Sequence, residues 1–330
     1  MWWPRVRKLL ASPWLRAAIS IGLIVAVLVS MDSAELREDL ARISIWTVAV
    51  LLAIDLGLRL MSAYRWHILY RMTNLSVGLN EITRITFVSS FLGQVLPGII
   101  GVEALRTVSL ARAKSDWPGA LASVVVDRAL GLVSLVLVVL LGIVFGPAGL
   151  GPVLLAPTLI ALALVVTFIV CAFVPHLRGG LRMLIPRTFE PRVRPMLDQL
   201  YTYLDLYSTS PWQMTYALFV AIAFQFGRIL LFYVAALMIG EHAELKYFVT
   251  IVPSVMFISL LPISISGIGV REASLVLLFS QFNVMGSASA FTVGLLALIS
   301  GTLSTLPGGW FYIRRRRDVQ EAIDQASEVG

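Results

Sequence analysis

From Ala129 to Leu177 the sequence runs without one charged residue. That is more than two membrane-crossing lengths of roughly 20 apolar residues each. The motif GPAGLGP at 146–152 divides the run, which predicts one helix over Pro118–Phe145 and another over Val153–Val174. Four further apolar stretches, Ala17–Met31, Ile45–Ile68, Gln213–Ile239 and Ala288–Ile313, approach the same length. The chain of 330 residues is 58% hydrophobic and only 14% charged, against about a quarter charged in a soluble domain. These features exclude a soluble or disordered chain, and strands of alternating polarity that would build an outer-membrane barrel are absent. The expected fold is an all-α polytopic membrane protein with about six full transmembrane helices.

Two more apolar stretches are interrupted. Residues 82–112 contain Pro97, Gly98 and Gly101 and close on Glu103 and Arg106. Residues 247–282 contain Pro262, Gly267 and Gly269 and close on Arg271 and Glu272. Both read as Pro/Gly-broken re-entrant hairpins. Pro97 and Pro262 lie 165 positions apart, and the mid-span arginines Arg59 and Arg228 lie 169 apart, each close to half the chain. The sequence therefore divides into a repeat over 45–145 and a second over 213–313. Between them lies a basic loop, 176–211, in which Leu197, Leu200, Tyr201, Leu204 and Tyr207 recur at helical spacing; a short amphipathic helix lying in the membrane interface is expected there.

The charge excess, 26 Lys and Arg against 19 Asp and Glu, sits at span ends and in loops. It reads as the positive-inside bias and contact with anionic lipid headgroups, not as nucleic-acid binding. With both termini in the cytoplasm, every loop obeys that bias. The two hairpins then enter from opposite sides, so the repeats are inverted. The N-terminal segment, with Arg5, Arg7, Lys8 and Arg16 ahead of its apolar stretch, is expected to be an uncleaved anchor. The single cysteine, Cys171, lies in an apolar run and has a packing role; His67, His176 and His242 form no metal-ligand pattern. No cofactor motif and no Walker A sequence is present.

Inverted repeats with broken helices place unpaired backbone groups and helix ends at membrane depth, where only protein, water or a ligand can satisfy them. The charged residues within apolar segments are Asp55, Arg59, Glu103, Arg106, Asp127, Arg128, Arg228, Arg271 and Glu272. Each costs about 2.5–3.5 kcal/mol at a helix centre, so partners or a function are expected. Asp55 and Arg59 are four apart and can pair on one helix face. Five arginines against four carboxylates favour a cavity that accepts an anion. The substrate-binding candidates are Arg59, Glu103, Arg106, Asp127, Arg128, Arg228, Arg271 and Glu272. Structural pairing and capping are the competing roles for each. Ser259, Ser264 and Ser266 can lend oxygens to a cation or bond their own backbone.

The segments FLGQVLPGIIGVEALR (91–106), SVVVDRALGL (123–132) and LLPISISGIGVREASL (260–275) resemble the transmembrane domain of the lysylphosphatidylglycerol synthase/flippase family. The resemblance extends from about Trp14 to Arg317. It points to Pro97, Gly101, Glu103, Arg106, Asp127, Arg128, Pro262, Gly267, Gly269, Arg271 and Glu272. Glu103 stands where many members carry Asp. The resemblance implies the flippase-like half of such proteins; with the sequence closing shortly after Arg317, the expectation is a protein without the soluble aminoacyl-transfer domain. The paired-hairpin architecture is shared by the DedA-type polyprenyl-phosphate transporters, whose motif order fits less well. The expectation is a lipid translocase of the bacterial inner membrane, acting on phosphatidylglycerol-type, polyprenyl-phosphate or hopanoid-related lipids. An accessory subunit with protein partners in envelope-lipid or polysaccharide assembly is one alternative. A lipid-modifying enzyme, with Asp127, Glu103 and Glu272 as acid/base candidates, is the other; no nucleophile elbow or metal cluster supports it, so a non-enzyme is expected.

Overall fold

The computed structural model describes residues 13–73, 77–94, 99–147, 190–260 and 267–314, with isolated positions 158–159, 162–163, 166–167 and 264. Pro97, Gly98, Pro262 and most of the expected span Val153–Val174 lie outside the described residues. The described residues form helices and no strands. In chain order the helices are α1 (Pro13–Ser30), α2 (Ser33–Ala41), α3 (Ile45–Arg71), α4 (Leu79–Gly93), α5 (Ile99–Lys114), α6 (Trp117–Phe145), α7 (Glu190–Ser208), α8 (Pro211–Met238), α9 (Leu245–Ile258), α10 (Val270–Gln281) and α11 (Ser287–Leu303).

Local chemistry sets the ends. Ser44 starts α3: its hydroxyl accepts the Thr47 N–H at 3.1 Å, and Thr47 Oγ1 accepts the Ser44 N–H at 3.3 Å. Asp116 starts α6 by accepting the Gly119 N–H at 3.2 Å, with Pro118 in the first turn. Gly146 ends that helix ahead of Pro147. Among the described residues, α3, α6, α8 and Ser287–Arg314 are long and apolar enough to cross a membrane. The first apolar helix meets that test only together with α2, and the chain turns by 100° between them.

The interrupted stretches are helix pairs. Their helices have 15, 16, 14 and 12 residues. That gives lengths of about 18–24 Å, short of a hydrocarbon core of about 30 Å. Each pair doubles back on itself. In the first, Lys114 Nζ at the end of α5 lies 3.9 Å from Glu81 Oε2 at the start of α4. In the second, the Phe248 ring near the start of α9 lies 5.0 Å from the Phe279 ring near the end of α10.

The halves share one packing order. α3, α4, α5 and α6 pack in sequence, and α3 also touches α6; α8, α9, α10 and α11 do the same, with α8 touching α11. The halves meet through α3 against α8, α6 against α8 and α9, and α3 against α11. Each hairpin rests on glycines of the opposite half. A Cβ at Gly142 would stand 2.8 Å from Thr250 Cα and 2.9 Å from the Val249 carbonyl. Pro253 has no N–H to bond that carbonyl, so backbone and glycine approach closely there. On the other side a Cβ at Gly308 would overlap the Phe87 carbonyl, and one at Gly309 would stand 2.9 Å from Phe91 Cζ.

Gly308→Ala is therefore expected to push α4 away and cost about 1–3 kcal/mol, the usual penalty of overpacking. Gly57 has nothing within 4 Å of an added Cβ. Gly57→Ala should be neutral or stabilising by up to about 1 kcal/mol. Thermal melting of both variants in detergent checks this; equal melting points would show that the glycine contact is not tight.

The amphipathic segment differs from expectation. α7 spans 19 residues and lies on protein. Tyr201, Leu204 and Tyr207 are buried in one cluster with Leu69, Ala122, Val126, Leu130 and Ala217. Its apolar face is thus taken up by α3, α6 and α8 and is not left for the membrane interface. α2, in the charged segment that follows the first apolar stretch, is a helix capped by Asp32, which accepts the Ala34 N–H at 2.7 Å.

Candidate functional site

The first hairpin delivers Glu103 and Arg106 on α5, one turn apart, to α6, where Asp127 is buried and Arg128 beside it is partly exposed. Arg106 and Asp127 are 4% and 2% exposed. Asp127 Oδ2 accepts from Arg106 Nη1 at 3.2 Å, and Asp127 Oδ1 accepts from Arg65 Nε at 2.7 Å. Arg106 Nη1 also lies 3.7 Å from Glu103 Oε2, and its guanidinium covers the Trp66 ring at 4.5 Å. Trp66 is fixed by its Nε1–H bond to Ser123 Oγ at 3.1 Å. Arg128 bonds Glu103 Oε1, and 45% of the Arg128 side chain is exposed. Two buried arginines thus share one carboxylate, and both Asp127 oxygens are taken. In a low-dielectric site such pairs hold together because separating them strands a charge.

In the second hairpin, two glycines just ahead of α10 lie in the left-handed region, Gly267 at φ +79 and Gly269 at φ +83. Only glycine takes such a turn at no cost. A Cβ at Gly269 would also stand 2.6 Å from the Ser20 carbonyl of α1. Glu272 closes the turn: Oε2 accepts the Gly269 N–H at 2.7 Å, and Oε1 accepts from Arg271 Nη2 and Nε at 2.7 and 3.0 Å. Glu272 is therefore both helix cap and arginine holder. Ser259 bonds the Val255 carbonyl of its own helix at 2.7 Å.

Asp55 and Arg59 do not pair with each other. Asp55 accepts from Ser300 Oγ at 2.6 Å. Arg59 donates to Ser304 Oγ at 2.6 Å and to the Gly301 carbonyl at 2.7 Å. The four-residue spacing on α3 is matched by Ser300 and Ser304, four apart on α11. The two side chains therefore reach across instead of along their helix, which corrects the expected intrahelical pair.

Arg228 is the exception. No carboxylate of the described residues lies within 4 Å of its guanidinium. Its partners are the Met256 sulfur and the Phe224 ring, whose centroid lies 5.9 Å away. The same ring lies 5.8 Å from the Arg65 guanidinium. Phe224 thus lies within reach of both Arg65, at the centre of the first cluster, and Arg228 on α8, and Arg228 in turn feels the charge of Arg271 on the second hairpin.

Sequence reasoning left Arg65, near the end of the expected span Ile45–Ile68, out of the site, yet it is 6% exposed and sits in the centre of the network. The signal was available. Leu51, Leu58, Arg65 and Met72 recur every seven residues and are all buried, which puts Arg65 on the inward stripe of α3. Adding it brings the cluster to six arginines and four carboxylates, a net charge of +2. The described residues hold no group of three or more potential metal ligands. Such an array can hold anions by forked, charge-assisted hydrogen bonds. Arg228, Arg271 and the partly exposed Arg128 keep unused donors, whereas Asp127 and Glu272 have none of their oxygens free.

Residues 14–309 match the family described as lysylphosphatidylglycerol synthase TM region. No curated protein matches the chain. The matched segment spans both hairpins and every charged residue of the network. The chain, a multi-pass helical membrane protein, belongs to the family of the lysylphosphatidylglycerol synthase transmembrane region.

Proposed function

We propose that this protein moves an anionic lipid between the leaflets of a bacterial inner membrane, with the basic loops and both termini in the cytoplasm. The observation that carries the reading is Arg228, a guanidinium at membrane depth with no carboxylate of the described residues within 4 Å, in a cluster of six arginines and four carboxylates. A lipid phosphate supplies the missing charge, and its acyl chains stay in the bilayer. Arg228 and Arg271 are its ligands, with Arg128 at the approach. Arg106, Arg65 and Asp127 hold the site in shape, as do Glu272 and the Asp55–Arg59 rungs to α11.

The two hairpins, each too short to span alone, line the site from opposite sides of the membrane as re-entrant elements. Membrane lipids are the partners, and no cofactor takes part. Asp127 and Glu272, the strongest acid/base candidates, are engaged by arginines, which favours transport over catalysis.

The test uses purified protein in liposomes with fluorescent phosphatidylglycerol in both leaflets. A membrane-impermeant quencher is expected to bleach about half the label in empty liposomes and nearly all of it with protein. Arg271→Gln should slow the second phase at least tenfold. Polyprenyl-phosphate lipid is the second substrate assayed. If neither lipid crosses faster than in empty vesicles, the translocase reading fails and a subunit of an envelope-lipid assembly replaces it.

A further inference from the structure

Phe224 places its ring within cation–π reach of two guanidinium groups, Arg65 at 5.8 Å and Arg228 at 5.9 Å from its centroid. Its backbone is pinned at the helix crossing. The neighbouring Gln225, itself 5% exposed, donates from Nε2 to the Gly131 carbonyl and to Ser134 Oγ, both at 3.3 Å. Gly131 also faces Arg65, whose Nη2 would stand 3.9 Å from an added Cβ. One turn further on, Gly227 lets α8 close against Leu58 of α3. The ring itself is only partly buried and packs against the main apolar cluster, with no hydrogen bond to hold it.

The other arginines of the network each bond at least one oxygen: Arg65 and Arg106 bond Asp127, Arg59 bonds Ser304 and Gly301, Arg128 bonds Glu103 and Arg271 bonds Glu272. Arg228 has a π face and a thioether. Both are weak ligands. A cation over an aromatic ring gains less than the same cation gains from a forked bond to a phosphate. A carboxylate in this place would hold Arg228 permanently and compete with any incoming anion.

We infer that Phe224 is a displaceable ligand of Arg228 and the partition between the two hairpin half-sites: an arriving lipid phosphate takes its place on Arg228, and the ring must swing aside for the headgroup to pass. The inference rests on the proposed anion site and adds the residue that controls exchange within it. Arg65 keeps Asp127 throughout, so the ring moves relative to a static neighbour. Phe224 is a positioning residue that acts through Arg228.

Two readouts separate this role from simple packing. The first is phosphatidylglycerol affinity of the full chain in detergent, read from the thermal shift and from microscale thermophoresis. Phe224→Leu removes the competing ligand and keeps the apolar volume, so its affinity should rise about three- to tenfold. A packing role predicts equal or weaker binding. The second is the fluorine resonance of 4-fluorophenylalanine placed at position 224, titrated with phosphatidylglycerol and, separately, with inorganic phosphate. The resonance should move on saturation in an otherwise wild-type chain and stay fixed in Arg228→Gln. A shift with free phosphate alone would assign the site to a soluble anion and overturn its lipid part. Phosphatidylglycerol binding with an unmoved resonance, or unchanged affinity in Phe224→Leu, would overturn the role of Phe224 and leave the anion site standing. Absence of binding by both probes would remove the anion site and this inference with it.

Discussion

Asp127→Asn is expected to be the most destabilising single change in the network. It leaves Arg65 and Arg106, 6% and 4% exposed, with no full charge from the group that both contact. Breaking a buried ion pair by removing one partner costs about 3–5 kcal/mol. Glu103, 3.7 Å from Arg106, relieves only one of the two cations. The measurement is the detergent melting temperature together with the monodisperse yield. A double variant, Asp127→Asn with Arg65→Gln, removes one stranded cation and should recover part of the loss; the coupling in such a cycle is expected at about 1–3 kcal/mol. A melting temperature for Asp127→Asn within a degree of wild type would show that the carboxylate does not hold the network together.

Arg228→Gln is expected to do the opposite. Among the described residues its cation has a sulfur and a ring as close partners and no carboxylate within 4 Å, so removing it takes away a desolvation cost larger than the longer-range attraction to Asp55 that it gives up. The folded protein should melt at the same temperature or higher. Phosphatidylglycerol transport in the liposome assay should fall at least tenfold, because the phosphate loses its central ligand. A charged hydrogen bond is worth about 1.5–3 kcal/mol, and a forked contact contains two of them. Arg228→Lys keeps the charge but loses the fork, so intermediate activity is expected. Active sites commonly trade stability for function in this way. A large loss of stability in Arg228→Gln would mean that Arg228 has a structural anion as partner, and wild-type transport would remove it from the site.

The all-helical membrane class was legible from hydropathy alone, because a long apolar run has few other uses. The helix start of the second break was legible as well, since glycines and charges at Gly267, Gly269, Arg271 and Glu272 mark a turn and a helix start whatever surrounds them. What could not be read was which helix stands opposite which. Asp55 and Arg59 have the spacing of an intrahelical pair, and only the presence of Ser300 and Ser304 across the gap decides against it. α7 has the pattern of an interfacial helix, and the pattern is the same whether its apolar face meets lipid or the cluster around Leu69 and Ala217. Arg65 was missed for a different reason: it stands near the end of its span, and its seven-residue register with Leu51 and Leu58 was not used. The heptad carried the correct answer.

The glycine contacts also bear on how the protein is made. Phe87 of α4 is seated by Gly308, more than two hundred residues later in the chain. The ribosome therefore releases the first hairpin long before its seat exists. Until the C-terminal helix arrives, α4 and α5 must wait with part of their contact surface uncovered, held by each other through contacts such as Glu81–Lys114. The second hairpin has no such delay, because Gly142 is already in place when Thr250 emerges. Assembly of this symmetric packing is thus asymmetric in time, and the first hairpin is the part that depends on protection by the insertion machinery.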